Sequence, residues 1–472
     1  MKHILCVFLC LAMIIPPNGF PGRTGQVEAS LLGEFSLKDE VELGEKFRVL
    51  IRSSFPLVDD PEITGYINTI VDELVQTMPP QPFPIKSGVV RNNAMNAFAA
   101  PGGYLYVFTG MILNVEDESE LAGVLAHELA HISQRHIARH MERAKLINIG
   151  SMLGVLAGAL LGPGDAGSAM MYGALAGGQS AYLKYSREDE READQVGINY
   201  LVEAGYRPQG LPESFEKIRR KRWLSGGSLP AYLSTHPDVE ERIEYLYQRI
   251  GRYPDSITSR TSGNDKLRRI QTILRARYTD ANEALLHFQK EEQQTDPCLS
   301  SLGRAIALDR LNRVNDANAA FEQALSCGGK DSLFLREAGS SYFLQGKFDQ
   351  AEKLLNEAVL RNPKDLMAMF YYARLLSETD RTEQALPYMQ RVMRTIPEDP
   401  EIHYYMGRIQ GKKGDPFQAH LHLAYSSLYS NDQKMTGFHL EKVKHLARSE
   451  DEKQELKRFQ ETYKERAEFW GK

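Results

Sequence analysis

Cysteine is scarce in this chain: there are four in 472 residues, and two of them, Cys6 and Cys10, lie within the first ten. That excludes a scaffold held by many disulfides and leaves Cys298 and Cys327 as one bridge or two buried thiols. An excess of one charge is missing too. The 57 basic and 62 acidic residues give a net charge of -5, and no block of like charge stands out, so a nucleic-acid partner is not expected. Apolar runs long enough to span a membrane are also lacking. Ile4 to Ile15 is apolar for twelve residues, follows Lys2 and His3, and is broken by Pro16, Pro17 and Gly19. That is short for a span and right for the apolar part of a signal peptide. Residues 1–29 are expected to be that signal, with a small-x-small cut ending at Val27-Glu28-Ala29. A second apolar stretch, Ile149 to Gly178, is divided by Gly162-Pro163-Gly164-Asp165. It reads as a helical lid or hairpin near a cleft, able to touch a membrane or partner.

What is present suffices for more than one packed domain: 42% of residues are hydrophobic and 25% are charged. Residues 30–250 mix strand-like and helix-like patterns. Residues 251–265 are polar and rich in turn formers, and read as a linker. From 266 onward the pattern is helical. Pro363 and Pro397 stand 34 residues apart, the tetratricopeptide period. A middle repeat starting at Ser332 puts Gly339, Tyr342, Ala351, Ala358 and Pro363 where that motif wants them. Ala305, Ala317, Phe321 and Ala324 fit the repeat before it, and Ala373, Ala385 and Pro397 the repeat after. Gly407 and Ala419 mark a weaker one. Residues 266–435 therefore resemble a tetratricopeptide repeat array, whose small residues let paired helices approach closely. Residues 436–472 read as charged capping helices. Cys298 and Cys327 fall at helix ends that an antiparallel hairpin brings together, so a bridge is geometrically open to them.

The chemistry is concentrated at Val124-Leu125-Ala126-His127-Glu128-Leu129-Ala130-His131. Four-residue spacing puts His127 and His131 on one helix face, one turn apart, so both rings can reach one ion. Glu128 lies beside that ion, where a general base is needed. Acidic residues 116–120 and basic residues 135–145 flank the segment in the order that suits a helix dipole. His136 and His140 share the spacing but lack the glutamate. On a continuous helix they lie on the far side from His127, and they read as surface residues.

A third ligand is required. Gln134 and Ile137 occupy the positions where a metzincin would need glycine and histidine, so that class is excluded. The segment Ser186-Arg187-Glu188-Asp189-Glu190-Arg191-Glu192-Ala193-Asp194 opens a second helix. Glu190 shares its apolar face with Ala193, Gly197, Leu201 and Ala204, which makes it the candidate carboxylate. Asp194, one turn on, is placed to accept a hydrogen bond from a ligating imidazole and fix its tautomer. Glu188, Asp189 and Glu192 read as an exposed helix start.

These blocks, together with Asn96-Ala-Phe-Ala-Ala-Pro-Gly-Gly-Tyr-Leu-Tyr-Val-Phe-Thr-Gly110 and Thr235-His236-Pro237 with Arg242, resemble the M48 family of zinc metallopeptidases. The resemblance implies an α+β, mainly α, gluzincin-type domain with a small sheet, followed by the all-α repeat array. It implies one zinc ion on His127, His131 and Glu190, with Glu128 as catalytic base. The strand around Tyr104 and Tyr106, with Asn96 and Phe98 before it, is the candidate edge for pairing with an extended substrate. His236 is open between a transition-state donor, a fourth ligand that holds the enzyme off, and a structural histidine. A signal, this domain and the repeats together are similar to periplasmic M48 proteases and chaperones of outer-membrane protein assembly. The expected substrates are unfolded or misassembled proteins, and the expected partner of the repeats is the assembly machinery. Two rival expectations are a chaperone or adaptor with an idle metal site and a membrane-embedded M48 protease.

Overall fold

The computed structural model describes residues 35–143, 153, 185–224, 231–291 and 296–470. The expected signal segment, and the 149–178 stretch apart from residue 153, lie outside them.

The described residues up to 250 are helical around one three-stranded sheet of order β1-β3-β2. Strand β1 (Lys86–Val90) pairs parallel with β3 (Tyr104–Phe108), and β2 (Ala97–Ala100) pairs antiparallel with β3. The Pro101-Gly102-Gly103 turn joins β2 to β3. Gly102 and Gly103 both have positive φ, 73° and 84°, a conformation in which a side chain is strained. The helix Leu37–Ser54 is started by a Ser36/Asp39 capping box and crosses this turn at Gly44. A Cβ there would lie 2.3 Å from the Pro101 carbonyl oxygen.

The motif helix, Glu118–Ser133, is capped by Asp117, whose side chain accepts from the Ser119 N–H. Every residue from Ser119 to Ile132 is buried, as befits a helix enclosed on all sides. Strand β2 and the helices Arg187–Glu203 and Gly210–Leu224 pack around it. Gly197 allows a close crossing: a Cβ there would stand 3.0–3.1 Å from the Ala126 and His127 backbone.

The motif helix does not run on to His140. It stops at Gln134, and Arg135 adopts φ 51°, so the next helix, His136–Arg143, leaves in a new direction. His136 and His140 are therefore buried (0% and 9% exposed) rather than on the surface. The far-side reading assumed an unbroken helix. Asp189 is also buried, not exposed, because it closes a capping box with Ser186 and accepts from His140. Glu192 is partly exposed (40%).

The second half of 251–265 is pinned to the helices before it. Arg260 donates to the carbonyls of Val202 and Tyr206, Ser262 to Asp117, and the Asn264 side chain accepts from the Glu118 N–H. Beyond them, helix pairs such as Ser332–Leu344 with Phe348–Arg361 and Leu366–Glu378 with Thr382–Thr395 stack in order. Ala305, Ala317, Ala324, Ala351, Ala358, Ala373 and Ala385 are all fully buried between helices. Cys298 and Cys327 form a disulfide with Cα atoms 5.7 Å apart. Two turns and one helix of the array grip the preceding part of the chain. Glu398 pairs with Arg48 at 2.7 Å and with Arg52, Arg336 pairs with Glu62 at 2.7 Å, and Asn431 donates to the Ser53 carbonyl. Helices Gln433–Leu446 and Glu450–Ala467 close the array over a core that includes Phe417, Leu428 and Phe459.

Within the array, His403 donates through Nε2 to the Pro397 carbonyl at 2.8 Å, and its Nδ1 lies 3.1 Å from Nδ1 of His422. Burial pushes His403 down to about 4, and burial with His403 alongside pushes His422 down to about 3, from an ordinary 6.5. The unfolded chain therefore binds more protons than the folded one once the pH is below 6.5. Stability contributed by these neutral rings is present above 6.5 and is lost as pH falls towards 4. At pH 5 the loss is on the order of 2 kcal/mol per ring. Melting curves at pH 7.5 and pH 5 should show it, and His403→Gln with His422→Gln should flatten the difference.

Candidate metal centre

Four buried donors converge between the motif helix, the helix Arg187–Glu203 and the end of the helix Ala231–Thr235. Nε2 of His127 and Nε2 of His131 are 3.0 Å apart. Glu190 brings Oε2 to 3.6 Å from His127 and Oε1 to 3.5 Å from His131. His236 brings Nδ1 to 2.8 Å from Glu190 Oε1 and 3.4 Å from His127 Nε2. Donors around a tetrahedral zinc stand about 3.3 Å from one another, so this set fits one ion. Burial lowers His127, and lowers His131 and His236 well below the ordinary histidine range, leaving neutral rings as metal ligands must be. Burial raises Glu190 to about 7, against the pull of Arg242 and His127.

Charge supports the same fit. Glu128, Glu190 and Asp194 are buried carboxylates, and among the described residues Arg242 is the buried cation that touches Asp194 and Glu190. Burial favours the protonated form of Glu128 and Glu190, and with one guanidinium for three acids a dication would be what holds them ionised. Glu128 Oε1 and the Tyr185 hydroxyl are buried with no hydrogen-bond partner, which also points to something polar in the space they face.

Glu128 stands one residue along from the donors. Its Oε2 accepts from the Ala99 N–H at 3.1 Å, and its Oε1 is 3.5 Å from His236 Nε2. Burial, with Glu190 nearby, raises its carboxyl well above the usual range. Asp194 accepts from His127 Nδ1 at 3.0 Å, which turns the other nitrogen of that ring towards the donor cluster. Burial alone would raise Asp194, but Arg242 and His127 hold it below the usual carboxylate range.

The candidate substrate edge is rearranged. Strand β3 is the middle strand, hydrogen-bonded on both sides, so Tyr104 and Tyr106 present no free edge. Tyr104 donates to Glu45, and Tyr106 stacks on Phe98 in the core. The outer strands are β1 and β2, and the unpaired side of β2, though buried, lies beside the motif helix. Asn96 precedes that strand and is buried, with its carbonyl accepting from Phe108. The alternation then turns the backbone of Ala97 and Ala99 outward, and Ala99 meets Glu128 there.

Sequence reasoning missed two aromatic walls. Tyr185 stacks on His131 with ring centres 3.8 Å apart, and Tyr232 stacks on His236 at 4.2 Å. It also missed that Arg242 is fully enclosed, lying over Phe215 and pairing with both acids. Nothing in the spacing marks these residues. Only the histidine-proline turn beside Arg242 hints at the last.

Comparison with known proteins agrees with this architecture. Residues 61–250 match the model of Peptidase family M48, and residues 342–409 match that of a tetratricopeptide repeat. The chain is 28% identical over 371 residues to the Beta-barrel assembly-enhancing protease of Yersinia pestis, covering 77% of this chain and 76% of that one. It is 29% identical over 343 residues to the protein of that name from Escherichia coli (strain K12), covering 70% and 67%. It is 34% identical over 163 residues to Mitochondrial metalloendopeptidase OMA1 of Arabidopsis thaliana, covering 34% of this chain and 30% of that one. No helix among the described residues is long and apolar enough to cross a membrane. The chain thus carries a Peptidase family M48 domain over residues 61–250, with tetratricopeptide repeats following it.

Proposed function

We propose that this is a zinc-dependent endopeptidase of the periplasm that degrades misfolded or stalled outer-membrane proteins, and that its repeats hold clients or the assembly machinery. The observation that carries the reading is the buried quartet of His127, His131, Glu190 and His236 with Glu128 beside it. The names of the two bacterial relatives support the outer-membrane assignment. The Cys298–Cys327 bridge suits an oxidising compartment.

Zinc held by His127, His131 and Glu190 would supply Lewis acidity to a water and to the scissile carbonyl. Glu128 takes the proton of the attacking water and returns it to the leaving amine. The Ala99 N–H holds Glu128 in place. The outer side of β2 at Ala97, beside the Ala99 N–H that Glu128 already occupies, would pair with an extended client segment once the buried site opens to it, which fits cutting of unfolded chains with little sequence preference.

His236 favours a second reading of the same site. Its Nδ1 stands among the donors as a fourth ligand would, and a closed four-ligand zinc site is a resting one. In that state the enzyme waits for a client to displace His236. The test measures zinc content and casein cleavage for wild type and His236→Ala. About one zinc per chain and low wild-type cleavage are expected, with a rise of about tenfold in the variant if the fourth-ligand state dominates. Absence of bound zinc would overturn the proposal. Loss of cleavage in His236→Ala would reassign His236 to transition-state support.

A further inference from the structure

His136, Asp189 and Glu192 form a second group with metal-ligand side chains close together, against the back of the first. Two roles are open to it: a second cation site, or support for the ligand His131. The hydrogen-bond chain decides between them.

His131 turns Nε2 towards the donor quartet, so its proton must be on Nδ1 when that nitrogen ligates. Nδ1 of His131 lies 2.7 Å from Nδ1 of His136. One of those two nitrogens has to accept, and since His131 supplies the proton, it is His136. The proton of His136 is then on Nε2, which faces Glu192 Oε2 at 3.1 Å and Asp189 Oδ1 at 3.8 Å. Each nitrogen thus has one role. A cation on His136 Nε2 would need a lone pair there as well as on Nδ1, which makes the ring an imidazolate. The carboxylates are also already engaged. Arg139 donates to Glu192 at 2.8 Å and reaches Asp189 at 3.5 Å, while His140 Nε2 and Ser186 Oγ bond Asp189 at 2.7 Å each.

We infer that His136 is the positioning residue for the ligand His131, passing the orienting effect of Glu192 and Asp189 through a second imidazole, and that this group is not a second metal site. The pattern parallels the other ligand, where Asp194 accepts directly from His127. Here a histidine is interposed, because the chain bends at Arg135 and brings the next helix back over His131. The bend supplies the geometry that a straight helix denies.

The inference rests on the zinc reading above, and the test keeps the two apart. Zinc affinity of the full chain is measured by competition with a chromogenic chelator, together with zinc content and melting of the zinc-free protein. Wild type should bind one zinc. His136→Ala should bind it about 10- to 100-fold more weakly. His136→Asn keeps an acceptor near the place of Nδ1 and should stay within about threefold of wild type. Should His136→Ala fail to fold, Glu192→Ala decides, since that side chain is 40% exposed. It should melt like wild type when zinc-free and bind zinc about 3- to 10-fold more weakly. Affinity within twofold of wild type in folded His136→Ala, unchanged affinity in Glu192→Ala, no advantage of His136→Asn over His136→Ala, or two zinc ions per wild-type chain would each overturn the inference. Wild type that binds no zinc would instead overturn the function proposed above.

Discussion

Replacing Glu128 by Gln should lower casein cleavage by about 10²- to 10⁴-fold, the usual contribution of a general base, while zinc content stays at the wild-type level. The substitution keeps shape and volume. The amide oxygen can still accept from the Ala99 N–H that now bonds the carboxylate, and His127, His131 and Glu190 are untouched. What disappears is the group able to take a proton. The same variant should be more stable than wild type when both are metal-free at neutral pH. Burial and Glu190 raise the Glu128 carboxyl in the folded state, so ionising it weakens the fold as pH climbs above the unfolded value of 4.5. An uncharged amide avoids that penalty, a familiar exchange between activity and stability. Full cleavage by Glu128→Gln would remove Glu128 from the chemistry.

Replacing Arg242 by Met should cost about 3–5 kcal/mol of stability in urea unfolding of the zinc-free protein, the range for breaking a buried ion pair from one side. Arg242 is 3% exposed and bonds both oxygens of Asp194 at 2.8 Å, with Glu190 alongside. Methionine fills much of the space over Phe215 but leaves two acids facing one another without a cation. Asp194→Asn in the same chain should recover part of the loss, and saturating zinc should narrow the gap by supplying positive charge at Glu190. A loss below about 1 kcal/mol would mean that solvent or another group takes over the role of Arg242.

That His127, His131 and Glu190 come together was legible because the rules are local, whereas His236 was open between three roles. Two histidines one helical turn apart must share a face, and Glu190 must point with Ala193 and Gly197 once that helix is recognised. The repeat array was legible for a related reason: its small residues recur at a fixed period, with Gly339 packed against Leu355 and Ala351 and Ala358 fully buried. What escaped depends on where the chain turns. His136 and His140 were assigned to the surface because no residue type at 134–135 announces a break, and arginine is an uncommon choice for positive φ. That β2, not β3, is the outer strand beside the motif helix escaped because pairing order in a sheet is a property of three segments together, whereas alternation describes one. Arg242 was marked only by the resemblance, with no role attached, because its burial against Phe215 and its pairing with Asp194 and Glu190 depend on how the helices pack.

Arg135 carries a further meaning through the residue it touches. A left-handed residue other than glycine is unfavourable by roughly 1–2 kcal/mol, and Arg135 is kept there while its guanidinium bonds Glu40 at 2.8 and 3.0 Å. Glu40 belongs to the helix Leu37–Ser54, the first described element of the chain. The scaffold behind His131 is thus latched by the amino-terminal end of the described fold, nearly a hundred residues away in sequence. Trimming that end past Glu40 would unfasten the latch without removing a single residue of the metal-binding motif.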